Sequence, residues 1–203
     1  MVGRALLRFI LARYLRRQPA DIVFTYGANG KPALDNTEPT LHFNLAHSEN
    51  RVVYAFSHAG ELGVDIELVR SLPEFESIAR HFFSPEECAQ LLSLPAGQRA
   101  EAFFNCWTRK EAYLKAVGDG LMVPLNSFQV SLLPDQPAAF IKLAGDRYPA
   151  SQWGLFHLNF PDGYIGALAI PLPGCTLHWW TFADAVQCFE YLANPDSSSH
   201  PGL

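Results

Sequence analysis

An α+β fold is predicted by three features of the sequence. Helical periodicity is confined to separate blocks at 2–17, 85–94 and 98–117, while residues 127–182 read mostly as short strands. A strand, polar turn, strand pattern occurs twice, once from Phe43 and once from Phe156. That faint repeat is compatible with two related α+β halves meeting near residues 58–62.

In the first block, Leu6, Leu7, Ile10, Leu11, Tyr14 and Leu15 make one apolar helical face over 2–17, and Pro19 stops the run. Its arginines fall mostly on the other faces, and an Arg-rich, acid-free start also fits an organellar transit peptide. A short strand at 22–26 is followed by a turn-rich stretch at 27–39. Strands at 41–46 and 52–56 flank Ser48-Glu49-Asn50 as a hairpin, and 62–69 is continuous enough in apolar residues to be a central strand. Ser84-Pro85-Glu86-Glu87 places an N-cap serine, a first-turn proline and a glutamate in capping-box order, so a helix starts at 85 and ends before Pro95. A longer helix over 98–117 ends at Gly118, a residue suited to the left-handed C′ position. Strands are expected at 128–132, 139–142, 153–159, 164–170 and 176–182, then a helix at 184–192 and a mobile polar tail at 194–203.

Composition narrows the function classes. A chain of 203 residues, 49% hydrophobic and 17% charged, can bury a core without disulfides and is not disordered. The net charge of −5 divides unevenly: five arginines and no acid in the first twenty residues leave −10 for the rest, which argues against a broad nucleic-acid surface. Cys88, Cys106, Cys175 and Cys188 show no CxxC and no zinc spacing, as expected of reduced thiols in a cytoplasmic protein. No apolar run is long enough to span a membrane.

Gly63-Val64-Asp65-Ile66-Glu67 is the sharpest anomaly. Strand residues two apart share a face, so Asp65 and Glu67 point together while Val64 and Ile66 point away. Two like charges on one face of a central strand call for a cation, and Mg²⁺ suits because it takes one or two carboxylates and fills its remaining positions with water and phosphate oxygens; an edge strand with two solvated acids is the alternative. On the 98–117 helix, Phe103, Cys106, Trp107, Leu114 and Val117 form one stripe with Lys110 in its middle, where the amine either snorkels out or reaches an anion. Glu111 and Lys115 flank that stripe at i,i+4 spacing, which a plain helical ion pair would also explain. Gly30-Lys31-Pro32, Ala46-His47-Ser48 and Gly118-Asp119-Gly120-Leu121 are each bland alone. Together, carboxylates for a metal with lysines and a histidine for phosphates suit a phosphoryl-transfer site that works by positioning and electrostatics.

Phe43-Asn44-Leu45-Ala46-His47-Ser48, Gly63-Val64-Asp65-Ile66-Glu67 and Trp107-Thr108-Arg109-Lys110-Glu111-Ala112-Tyr113-Leu114-Lys115 with Gly118-Asp119-Gly120-Leu121 resemble the signature of the surfactin-type (Sfp-like) 4′-phosphopantetheinyl transferases. The Gly30 turn and the Phe82-Phe83-Ser84-Pro85 helix start fit too, so the likeness runs over about residues 3–190. The resemblance implies two pseudo-twofold-related α+β halves with the active site between them, residues 1–61 forming the first and 62–193 the second. It implies transfer of 4′-phosphopantetheine from coenzyme A to a serine of an acyl or peptidyl carrier protein, releasing adenosine 3′,5′-bisphosphate, in a Mg²⁺-dependent, monomeric, cytoplasmic enzyme. Carried over by position, Asp65, Glu67 and Glu111 hold the metal, Glu111 is the general base, and Lys115 stabilises the pyrophosphate charge. Arg4, Lys31 and His47 contact the nucleotide phosphates, Lys110 is a further phosphate contact, and Arg80 or Arg109 helps dock an acidic carrier. Ala46 stands where the family commonly has serine, and by the same resemblance a basic segment and a first strand are expected ahead of the helix that begins at about Arg4, as if the given sequence started within the family pattern. A truncated protein that binds coenzyme A or a nucleotide without transfer is the second reading, and unrelated metal-dependent phosphoester chemistry the third.

Overall fold

Apolar residues spaced by three and four along the N-terminal segment form helix α1, Val2–Leu15, in a computed structural model that describes residues 2–27, 30–35, 40–118, 123–143 and 149–193. Leu7 and Leu11 bury against Ile22, Leu41 and Phe43, and Leu6 and Ile10, beside them on the same apolar face of α1, bury in an adjoining cluster. β1, Phe24–Tyr26, pairs antiparallel with β2, Pro32–Leu34, a short strand within the stretch read as turn. Pro32 opens this edge strand, a position that loses no ladder bond.

β3, His42–Ser48, and β4, Arg51–Ser57, form the expected hairpin. β5, Gly63–Leu68, follows, and then α2, Phe75–Phe82, a helix the sequence reading left out. α3, Pro85–Ser93, starts at the expected capping box: Glu87 N donates to Ser84 Oγ (3.2 Å) and Ser84 N to Glu87 Oε2 (2.8 Å). α4, Ala96–Val117, begins two residues earlier than expected and ends at Gly118, whose φ of 79° is the left-handed conformation expected there. β6, Gln129–Val130, pairs with β7, Phe140–Lys142.

β8, Gly154–Asn159, and β9, Tyr164–Ile170, make the second hairpin, and β9 also pairs antiparallel with β5, giving the sheet order β5-β9-β8. Residues 176–182 do not form the expected strand. β9 already has a partner on each side, and the apolar residues of this segment pack individually instead: Leu177 lies on the apolar cluster of Val64, Ile66 and Leu168, while Trp179 is half exposed. α5, Ala185–Ala193, closes the described chain and sets Cys188 against Leu6 and Ile10 of α1. The tail at 194–203 and the loop residues Asp119, Gly120 and Leu121 lie outside the described residues.

The two hairpins match the sequence repeat. Glu49 and Asp162, equivalent in it, both take positive φ, 50° and 61°. The tips also touch: Arg51 pairs with Asp162 (2.5 Å), and Tyr164 donates its hydroxyl to Asn50 Oδ1 (2.9 Å). β3 runs parallel beside β5 with side chains in place of a peptide ladder. Val64 N donates to Asn44 Oδ1 (2.9 Å) and Leu68 N to Ser48 Oγ (3.2 Å).

Candidate active site

Alternation along β5 divides its side chains between two environments. Val64 and Ile66 are fully buried in the cluster with Ala46, Val53 and Leu158, whereas Gly63, Asp65 and Glu67 face α4. Gly63 sets the spacing: a Cβ there would lie 2.0 Å from Ala112 O and 2.3 Å from Ala116 N, so the helix backbone rests directly on the strand. That contact brings the Lys115 amine to Asp65 Oδ1, 2.6 Å away.

Asp65 is 6% exposed, and its Oδ2 has no hydrogen-bond partner among the described residues. Burial pushes its carboxyl up to about 7; Lys115 opposes this, and the neighbouring Glu111 and Glu67 charges add to it. Glu111 is raised by burial as well, against Lys115 and with Glu67. Glu67 accepts a hydrogen bond from Ser48 Oγ (2.9 Å). Asp65, Glu67 and Glu111 are thus like-charged neighbours with one cationic side chain among them, although no three His, Cys, Asp or Glu side chains among the described residues converge as a finished metal cage. Hard oxygen donors, an orphaned buried carboxylate oxygen and mutual repulsion all fit a divalent cation.

These shifts have a consequence for stability. Asp65 and Glu111 bind protons more tightly folded than unfolded, so the unfolded chain holds fewer protons between the ordinary carboxylate range and about pH 7. Without added cation the Tm should therefore fall as pH rises through that window, and millimolar Mg²⁺ should offset the fall at its upper end. Thermal melts across the window with and without Mg²⁺ measure both effects.

The phosphate-contact residues are dispersed. Lys31 lies at the C-terminal end of α4, its amine donating to Glu61 Oε2 (2.5 Å), Ala116 O (3.3 Å) and Leu62 O (3.4 Å). Glu61 also meets His42 Nδ1 at 3.1 Å. His47 is exposed on β3, and Arg4 is exposed on α1. Ala46 is buried on the face of β3 opposite His47, where its methyl packs with Val53 and Val64.

Two expectations need correction. Lys110 is fully buried, and its amine is taken up by Glu87 Oε2 (2.9 Å), Leu125 O (2.7 Å) and Phe128 O (2.6 Å), which leaves no proton for a phosphate. Glu87 in turn accepts from Val130 N (2.8 Å) as well as capping α3, so the ion pair ties α3, α4 and β6 together. Arg109, 1% exposed, donates to Ser131 O (2.6 Å) and cannot dock a carrier. Replacing Lys110 with Met would strand the Glu87 charge, at a cost of about 3–5 kcal/mol or roughly 10 °C in Tm. The folded fraction should keep its affinity for phosphate-bearing ligands, whereas loss of a true phosphate contact would lower it.

Sequence reasoning missed Ser48 as the partner of Glu67 and Glu61 as the partner of Lys31. A polar residue on the inward face of a strand was the available signal for Ser48.

Comparison with known proteins extends this picture. Residues 61–169 match the ACPS family model, described as the 4′-phosphopantetheinyl transferase superfamily, and this span holds Asp65, Glu67, Glu111 and Lys115. The 4′-phosphopantetheinyl transferase HetI of Nostoc sp. is 37% identical over 182 residues, covering 89% of this chain and 73% of HetI. Sfp of Bacillus subtilis is 35% identical over 135 residues, 66% of this chain and 58% of Sfp, so the chain spans less than two thirds of that relative. A solved Thermotoga maritima holo-[acyl-carrier-protein] synthase aligns with a TM-score of 0.42 at 20% identity, over 54% of this chain and 61% of that one. On the family-model match over β5, α4 and β9, and on the HetI likeness over most of its length, this chain belongs to the 4′-phosphopantetheinyl transferase superfamily.

Proposed function

We propose that the protein moves 4′-phosphopantetheine from coenzyme A to a serine of an acyl or peptidyl carrier protein and releases adenosine 3′,5′-bisphosphate. The observation that carries this reading is the grouping of Asp65, Glu67, Glu111 and Lys115 between β5 and α4 in a chain of this superfamily. Its parts are carboxylates able to hold a cation, a half-buried base and a lysine amine, and they match the needs of attack by a hydroxyl on a pyrophosphate.

Asp65, Glu67 and Glu111 are the residues that would hold Mg²⁺, which when bound supplies Lewis-acid neutralisation of pyrophosphate charge. Glu111, its carboxyl raised by burial toward the working pH, accepts the proton of the carrier serine as the serine oxygen bonds to the β-phosphorus and the bond from that phosphorus to the bridging oxygen breaks. Lys115 carries positive charge to the departing phosphate. Arg4, Lys31 and His47 hold the nucleotide phosphates, Lys31 by exchanging its Glu61 contact for a phosphate oxygen. Arg80, exposed on α2, is the remaining candidate for docking an acidic carrier.

We read residues 1–61 and 62–193 as the two related halves of a monomer, which meet at the hairpin tips and along the seam between β3 and β5. Four free cysteines and no helix among the described residues able to cross a membrane are compatible with a cytoplasmic setting. The test is incubation of the chain with coenzyme A, Mg²⁺ and an apo peptidyl carrier protein, read by the carrier's intact mass. A gain of one phosphopantetheine arm that disappears with EDTA is expected. Coenzyme A binding without any gain on several apo carriers would replace transfer by a binding role.

A further inference from the structure

Ser48 has a hydrogen-bonding arrangement with only one solution. A hydroxyl donates once and accepts through its lone pairs. Leu68 N can only donate, so Ser48 Oγ accepts there (3.2 Å), and its single proton is committed to Glu67 Oε2 (2.9 Å). Ser48 is 8% exposed and sits on the buried face of β3, which also carries Asn44 and Ala46, so its hydroxyl rotor is held on both sides. Glu67 is less enclosed than Asp65, and no other hydrogen bond orients its carboxylate among the described residues.

We infer that Ser48 is a positioning residue for Glu67: the hydroxyl of β3 fixes one oxygen of the β5 carboxylate and thereby presents the other toward α4, where a divalent cation is held. The inference rests on the proposed function in taking Glu67 as a cation ligand. It adds a residue of the first hairpin to a site otherwise built from β5 and α4, so that cation affinity depends on the seam between the two sheets. Partners of this kind, one step removed from the metal, typically change its affinity 10- to 100-fold when lost.

The experiment measures binding of Mn²⁺ alone, by paramagnetic resonance of the free ion with Mg²⁺ as competitor, on the full chain and four variants. Ser48→Ala should bind about 10-fold more weakly while its circular dichroism stays native. Ser48→Thr, which retains both hydrogen bonds, should restore affinity to within about 3-fold of the parent. Glu67→Gln should be at least as weak as Ser48→Ala, and the double variant no weaker than Glu67→Gln alone, because the hydroxyl acts only through that carboxylate. Unchanged affinity in Ser48→Ala, or a Ser48→Ala loss that persists in the Glu67→Gln background, overturns the inference. Should the alanine variant not fold, Ser48→Cys, a weak donor of similar size, is expected to weaken binding in its place, and parental affinity there is equally decisive against it. Parental protein that binds no Mn²⁺ removes both the inference and the metal assignment, whereas Mn²⁺ binding without transfer to any carrier defeats the proposed function alone.

Discussion

Glu111→Gln is expected to lower the rate of carrier modification by about 10²- to 10⁴-fold, the range that a general base contributes. The amide keeps the shape of the carboxyl but accepts no proton at neutral pH. The change should not unfold the protein. Glu111 is half-buried beside Glu67, which disfavours its charge, so the neutral side chain relieves a repulsion and the metal-free Tm should hold or rise. Initial rates by intact-mass sampling, beside a thermal melt, separate the two effects. Turnover within a few-fold of the parent would remove Glu111 from the base role.

Gly63→Ala should damage both the fold and the chemistry through one methyl group. The added carbon would meet Ala112 O at 2.0 Å and Ala116 N at 2.3 Å, and these are backbone atoms that cannot rotate aside. The helix must therefore shift away from β5, with a stability loss of about 3 kcal/mol, at the upper end of overpacking costs. Because Glu111 and Lys115 ride on the same helix, a displacement near 1 Å should also cost about 10²-fold in turnover. A melt and a rate measurement on the purified variant test this, and an alanine variant with parental Tm and rate would show that α4 is not seated by this contact.

Much of the site was legible because its anomalies are local. Asp65 and Glu67 stand out within five residues of strand, and Glu111 with Lys115 within one turn of helix, so the strand and helix periods already put each pair on one face. The capping box at Ser84 and the glycine stop at Gly118 were readable for the same reason. What failed depended on contacts distant in sequence. Lys110 was visibly out of place in an apolar stripe, but its partner Glu87 lies on another helix, and nothing near Lys110 announces an internal ion pair. α2 carries the apolar spacing Phe75, Ile78, Ala79, Phe82, yet its eight residues are shorter than the window over which helical periodicity becomes distinct. At 176–182 the apolar residues that suggested a strand are met by individual side-chain packing, since apolar content records that a segment packs and not whether a neighbouring strand is available.

The seam between β3 and β5 has a consequence for local motion. In a peptide ladder, amide protection is shared along many residues and is lost cooperatively. Here the amides of Val64 and Leu68 are each protected by one side-chain oxygen, from Asn44 and Ser48. Their solvent exchange should therefore follow the rotation of two individual side chains, while neighbouring amides paired into β9 exchange only when that sheet opens. Two reporters of separate origin thus lie on one strand on either side of Asp65, and the difference between their rates and those of the β9-paired amides measures how freely the first hairpin breathes against the acids of the site.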